Sequence, residues 1–162
     1  RLISEENTMA YHPAAGTKIY IGGTGDLSTE SGWDEIGETE DLGEFGRKYD
    51  VIKVKSLGTR AIRKAKSFFD DGAMRLKIHA DAADDGQAAL DIALDSDSAY
   101  NFKVVENDAG SGVGATGTTS KFKAKVTSMT KAIGGGDGVV NFMVDLEIDS
   151  GTIVQTAATA GT

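Results

Sequence analysis

Cysteine is absent from all 162 residues, and proline and tryptophan each occur once. With no thiol there is no disulfide scaffold, no thiolate metal site and no cysteine nucleophile, and the redox compartment is left open. No run of about eighteen apolar residues exists to cross a bilayer as a helix. The opening Arg1-Leu2-Ile3-Ser4-Glu5 has no signal-peptide core, so the chain as given is expected to be soluble and without a membrane role. Its start at Arg1 rather than Met suggests trimming or processing. Aromatics make up only 7%, a thin supply for the exposed stacking platform of a carbohydrate-binding surface. Lys and Arg (17) are outnumbered by Asp and Glu (25), and a formal charge of −8 argues against a general nucleic-acid binder.

Glycine is plentiful at 21 residues, which suits a β-rich chain with many tight turns and bulges. Asp70, Asp71 and Gly72 form a turn, after which Met74, Leu76, Ile78 and Ala80 alternate with Arg75, Lys77 and His79 at the period of a half-buried strand. Asp84 then stands three residues before Gln87, the spacing of a helix N-cap and its reciprocal partner. A helix is therefore expected over about Asp84–Asp95, with Ala89, Leu90, Ile92, Ala93 and Leu94 as its apolar stripe. So short a helix is marginal in water, and the stripe should lie on the sheet face of Met74, Leu76 and Ile78.

Other strands are expected at Lys18–Gly22, Val51–Leu57 and Tyr100–Val105. Trp33–Ile36 reads as a short strand or anchor, with Trp33 either packed under a loop or holding an interface. The clearest hairpin pairs Lys121–Lys131 with Val139–Asp149 about Gly135. In that register Phe122 faces Ile148, Ala124 faces Leu146 and Val126 faces Val144, while Lys121, Lys123 and Lys125 face Asp149, Glu147 and Asp145, at about 0.2–1 kcal/mol a pair. The whole reads as one mainly β domain over residues 1–162, a β-sandwich or barrel with one flanking α-helix. It carries an N-terminal arm at 1–16, a long basic arm at 47–66 and a C-terminal tail at 151–162.

Motifs for chemistry fail on context. Gly112-Val113-Gly114-Ala115-Thr116-Gly117 matches GxGxxG but precedes a lysine-alternating strand instead of opening a helix. Asp81–Ile92 has Asp81, Asp85 and Gly86 at calcium-loop places, yet Ala83 and Ile92 hold the third and twelfth, so it reads as a capped helix start. His12 and His79 have no metal partner at helical or strand spacing and are expected at the surface. No catalytic, cofactor or metal residues are assigned, and no enzyme is expected.

Charge, by contrast, is segregated. Asp26–Glu44 holds eight acids and no Lys or Arg, and Arg47–Lys66 holds eight bases against Asp50 alone. Each segment repels itself unless the other sign is near. They could pair as two loops of one subunit, or as a repeating contact between copies that builds rings or filaments. The second reading expects Arg60, Arg63 and Lys64 to meet Asp34, Glu35, Glu38 and Glu40 of an adjacent subunit or ring.

The order and spacing of WDEIG (33–37), SFFDDGAMRLKI (67–78), DDGQAAL (84–90), YNFKVV (100–105), FKAKVTSM (122–129) and IDSG (148–151) resemble the tail tube (major tail) proteins of long-tailed bacteriophages and related gene-transfer particles. That resemblance implies a structural subunit forming hexameric rings that stack into a hollow tube, and it implies no cofactor. The tube would pass DNA transiently and without reading its sequence. Implied partners are further copies of the chain and other tail proteins such as tape measure, terminator and baseplate components. The implied location is the virion or particle tail, after synthesis in the host cytoplasm. The segment 47–66 holds the place of the loop that bridges to the next ring. The lysine-rich strand faces depart from the acidic lumens usual in the family. The alternative is a ligand- or carbohydrate-binding β-sandwich module.

Overall fold

The computed structural model describes residues 11–162. Ten strands and one helix follow in order: β1 (Lys18–Ile21), β2 (Asp34–Glu35), β3 (Thr39–Asp41), β4 (Lys48–Val54), β5 (Arg63–Asp70), β6 (Ala73–His79), α1 (Asp85–Leu94), β7 (Tyr100–Val105), β8 (Thr119–Ala132), β9 (Asn141–Ile148) and β10 (Val154–Thr156). Most of the expected N-terminal arm lies outside the described residues; 11–16 form no strand.

An antiparallel sheet runs β2-β1-β7-β8-β9-β6-β3, with β10 added beside the start of β8. Its two edges are consecutive in the chain. Only Ile36, Gly37 and Glu38 separate β2 from β3, so Glu35 and Thr39 stand no more than roughly 14 Å apart. The sheet must roll until its ends nearly meet, a barrel closed by this segment. Ile36 N–H donates to Ile19 O (2.9 Å) on one side and His79 N–H to Glu38 O (2.8 Å) on the other. Glu38 turns the corner at φ +55°, the one non-glycine with positive φ among the described residues.

The inward positions alternate as expected. Ile19, Ile21, Met74, Leu76, Ile78, Phe102, Val104, Phe122, Ala124, Val126, Val144, Leu146 and Ile148 form the core. Phe102 and Phe122, opposite each other across β7 and β8, stack at 5.9 Å between ring centroids.

The helix forms where the cap predicts, with Asp84 Oδ2 accepting from Gln87 N–H at 2.8 Å. The reciprocal half does not form. Gln87 instead accepts from Asp81 N–H (3.0 Å) and donates to His79 O (2.9 Å), tying the helix to the end of β6. Asp84 also takes the Gly37 N–H at 3.2 Å, so one carboxylate caps the helix and holds the barrel closure. Gly86 allows that approach, since a Cβ there would lie 2.2 Å from Glu35 O. The buried face is Gly86, Gln87, Leu90 and Ala93, and the helix lies chiefly on β8, β1 and β2 rather than over β6. Ile92, expected in the stripe, is 66% exposed, because two residues past Leu90 is just over half a turn round the helix. No base follows in the last turn, and Asp95 caps a C-terminus that disfavours negative charge, so packing holds this helix.

The β8–β9 register corrects the symmetric pairing. Ala124 faces Ile148, Lys125 faces Glu147 and Val126 faces Leu146, then a bulge at Thr127 puts Ser128 opposite Asp145 and Met129 opposite Val144. The connecting loop spans residues 133–140, so its centre falls beyond Gly135; up to Val126 the slip of two places keeps side chains on their expected faces, and past the bulge, where it becomes three, Met129 rather than Ser128 turns to the core. Asp145 turns to the opposite neighbour, accepting from Arg75 Nε at 2.6 Å and Nη2 at 3.0 Å. The expected C-terminal tail in fact supplies an edge strand, with Val154 opposite Lys121 and Thr116 bridged to Thr159.

Strands β4 and β5 pair only with each other, as a two-stranded ribbon. It runs past the expected end at Lys66 to Asp70. At its base Asp71, fully buried, accepts from Arg47 Nε (2.9 Å) and from Gly151 N–H (2.6 Å). The Arg47 guanidinium holds this carboxyl below the usual aspartate range against the opposing effect of burial. Arg47 also lies over the Phe69 ring, 4.1 Å from its centroid.

Candidate assembly surface

The ribbon has two chemically different faces because strand residues alternate. Val54 pairs with Arg63 and Ile52 with Ala65, giving one mainly apolar face. Lys53 pairs with Lys64 and Val51 with Lys66, giving one basic face, on which the Lys66 ammonium lies 4.8 Å from the Tyr49 ring centroid. Val51, Ile52, Val54 and Phe68 are all at least half exposed, and Leu57 at the tip is fully so. Lys53 directly opposite Lys64 is a like-charge pair that weakens the ribbon by itself. Both faces lack what would complete them, an apolar cover for one and acids for the other.

Of the residues singled out by charge, Arg60 sits in the tip loop between β4 and β5, and Arg63 and Lys64 open β5. As consecutive strand residues, Arg63 and Lys64 point to opposite faces. None of the three makes an ion pair among the described residues. Asp34 and Glu35 lie on β2, Glu38 in the closing segment and Glu40 on β3, all exposed. Glu35 is held by Lys18 at 3.2 Å and Glu40 by Lys77 at 2.9 Å. Asp34 and Glu38 form no ion pair among the described residues. The structure thus brings none of these bases to these acids within one chain.

On the outer barrel wall, the Lys103 ammonium lies 4.5 Å from the Tyr20 ring centroid and 4.8 Å from that of Trp33, with Lys121 at 5.8 Å from Trp33. Desolvation first, and the like charge of Lys121 second, push the Lys103 pKa down. Trp33 is half-buried against this wall and donates from Nε1 to Glu30 O at 3.1 Å. The Glu30 carboxylate gathers the loop by accepting from Asn101 Nδ2 (2.9 Å), Gly32 N–H (3.0 Å) and Gly23 N–H (2.8 Å). Trp33 is therefore a strut for the 22–33 loop on the outer face.

The apolar side of the ribbon escaped the sequence reading, which registered this stretch for its bases. Its signal was present: in RKAKSFF and the end of KYDVIKV apolar groups alternate with bases at period two.

No family model matches the sequence, and no curated protein does either. Solved structures do match over nearly the whole chain, and the fold is one shared with chains of tail and tube assemblies. A chain of the PVC sheath-tube complex, an extracellular contractile injection system, superposes with a TM-score of 0.67 over 97% of this chain and 99% of that one, at 12% identity. The tail of an empty gene transfer agent particle, solved with C6 symmetry, gives 0.63 over 91% and 100%, at 16% identity. The SPP1 tail tube gives 0.62 over 90% and 80%, also at 16%. At these identities the likeness is one of fold.

Proposed function

We propose that the chain is a structural subunit of a phage-type tail tube, assembling as hexameric rings that stack into a hollow conduit for DNA in the tail of a virion or phage-like particle. The observation that carries this reading is the ribbon: a barrel that closes its own sheet nevertheless projects two strands with an uncovered apolar face and an uncompensated basic face. A protein working alone would gain nothing from such a projection, whereas a stacked subunit places it on a neighbour. Arg60 and Lys64 then meet acids of the adjacent subunit, with Asp34 and Glu38 preferred over Glu35 and Glu40, whose charges Lys18 and Lys77 already balance. Arg63 accompanies the apolar face. Terminator, cap and baseplate components are the expected end partners, and tape measure the expected lumen partner. The net charge of −8 suits a conduit, because each neutralised phosphate would add affinity that holds the DNA in place.

The alternative ligand-binding module has less support, since Trp33 is half-buried beneath lysines and the exposed Tyr49 and Phe69 rings each carry a cation, Lys66 and Arg47. The test is electron microscopy of the purified full chain at rising concentration, with Lys53→Glu/Lys64→Glu and Arg60→Glu/Arg63→Glu beside it. Wild-type chain should form rings and tubes, more slowly as salt rises, and both variants should stay folded and unassembled. A wild-type chain that remains monomeric throughout, or a sequence-specific DNA complex at physiological salt, would overturn the reading.

A further inference from the structure

Away from the ribbon, His12 Nε2 lies 2.6 Å from Glu106 Oε2, although the two residues are 94 apart in sequence. Asp108 joins them, and one ligand atom from each of the three lies within 4.8 Å of the others. Spacing along the sequence could not reveal this group, because 94 residues separate the histidine from the nearer carboxylate. The fold brings them together by fastening both segments. Asn107 Nδ2 donates to Ala15 O at 2.9 Å, and Gly16, at φ +92°, seats against the Asn107 side chain. Glu106 is fixed at the end of β7 by its N–H bond to Thr118 O (2.9 Å).

The carboxylate of Asp108 is aimed by Thr118, whose N–H donates to Oδ1 at 2.6 Å and whose hydroxyl donates to Oδ2 at 2.5 Å. Each oxygen keeps a lone pair. Gly117 passes close behind both acids, since a Cβ there would lie 2.0 Å from Glu106 O and 3.0 Å from Asp108 Oδ1. The last glycine of the apparent GxGxxG thus has a use unrelated to nucleotides. At most one charge of the two carboxylates can be met by the imidazole, and no lysine or arginine among the described residues pairs with either.

One imidazole and two pre-aimed carboxylates, partly open to water, are a nitrogen-oxygen ligand set for a divalent transition metal. Hydrogen bonds that orient a ligating carboxylate are the usual support for such a site. We propose that His12, Glu106 and Asp108 form a site for a divalent transition metal, zinc in the first place, which staples the segment before β1 to the β7–β8 connection. Water completes the coordination. A hard cation such as magnesium, which takes oxygen ligands by preference, fits the set less well.

The test is calorimetric titration of the metal-free full chain with zinc chloride in excess magnesium chloride. One equivalent should bind, and His12→Ala and Glu106→Gln should each weaken binding by about 10–100-fold or more, the scale that even an outer-shell ligand partner commands. Zinc should raise the thermal midpoint of the wild-type chain and not of His12→Ala, whose substitution lies outside the barrel and leaves the circular-dichroism spectrum unchanged. Cobalt(II) absorption gives a second reading of a nitrogen-containing site. Failure of zinc to bind, equal binding by His12→Ala, or equal displacement by magnesium would each overturn the proposal, the last two by assigning the binding to diffuse attraction among surface acids.

Discussion

Strands β5 and β6 are separated only by Asp71 and Gly72 and use nearly the same alphabet, yet their apolar residues meet opposite fates. In AMRLKIH, Met74, Leu76 and Ile78 are at most 1% exposed, while Phe68 of RKAKSFFD is 84% exposed. Both alternate apolar groups with bases. What differs is the second layer: β6 lies between β9 and β3 in a sheet that rolls over its own core, and β5 has only β4 beside it. Alternation therefore defines a face, and burial depends on whether another element covers that face. In the proposed assembly the uncovered face is left for another copy of the chain.

The contrast can be broken most directly from the covered side. Leu76→Ala removes fully buried volume and should cost about 2–5 kcal/mol in chemical denaturation of the full chain. Ile52→Ala, the matching truncation on the ribbon, should stay within about 0.5 kcal/mol. Equal losses at the two sites would mean that the ribbon is buried within the subunit after all.

Gly86→Ala comes next. Its new methyl would meet Glu35 O at 2.2 Å, and backbone cannot swing aside as a side chain can, so α1 must lift from β2 at a cost of about 1–3 kcal/mol. Thermal unfolding of the purified variant measures it.

Asp71 joins the two regions, and Asp71→Asn should cost about 1–3 kcal/mol by weakening the charged hydrogen bonds from Arg47 and Gly151. Its carboxyl is depressed in the folded state, so its stabilisation is fully present above the ordinary aspartate pKa of about 3.9 and is lost as pH falls through the lower folded-state value. Asp145, Asp108 and Glu30 are depressed as well and contribute to acid loss in the same direction. The wild type should lose stability more steeply than Asp71→Asn as pH falls below about 4, the ordinary aspartate range; parallel curves would remove Asp71 from that role.

The smallest effect has the most informative sign. Lys53→Glu places opposite charges across from Lys64 and should strengthen the isolated ribbon by about 0.2–1 kcal/mol, while tube assembly declines. Amide exchange across β4 and β5 would register the gain and light scattering the loss. A variant that assembles better would show that the basic face is not the docking face.

Much of the barrel was readable in advance. Met74, Leu76 and Ile78, the Asp84 cap and the strands at 18–22 and 100–105 all rest on neighbours within a few residues. The hairpin's paired faces were readable as far as Val126, because a slip of two places leaves them unchanged, but its register was not. That depends on where the 133–140 loop turns and on the bulge at Thr127, which swaps the alternation so that Met129 follows Val126 to the core. The residues proposed for assembly were legible as charge and only partly as geometry: Arg63 and Lys64 look like one cluster in sequence and are divided by the strand between two faces.

Local chemistry decides which residues can cap, turn or alternate, since those preferences act over one to four residues of backbone. It decided here that the chain is mainly β, that a helix begins after Asp84, and that acid and base are segregated before and after Gly46. Only the folded chain decided that Gln87 serves His79 O and Asp81 N–H instead of its own cap, that 34–41 closes the barrel, and that His12 meets Glu106 and Asp108. Each of those contacts joins groups whose separation along the chain says nothing of their distance in space. That distance is set by how every intervening strand, bulge and loop packs at once.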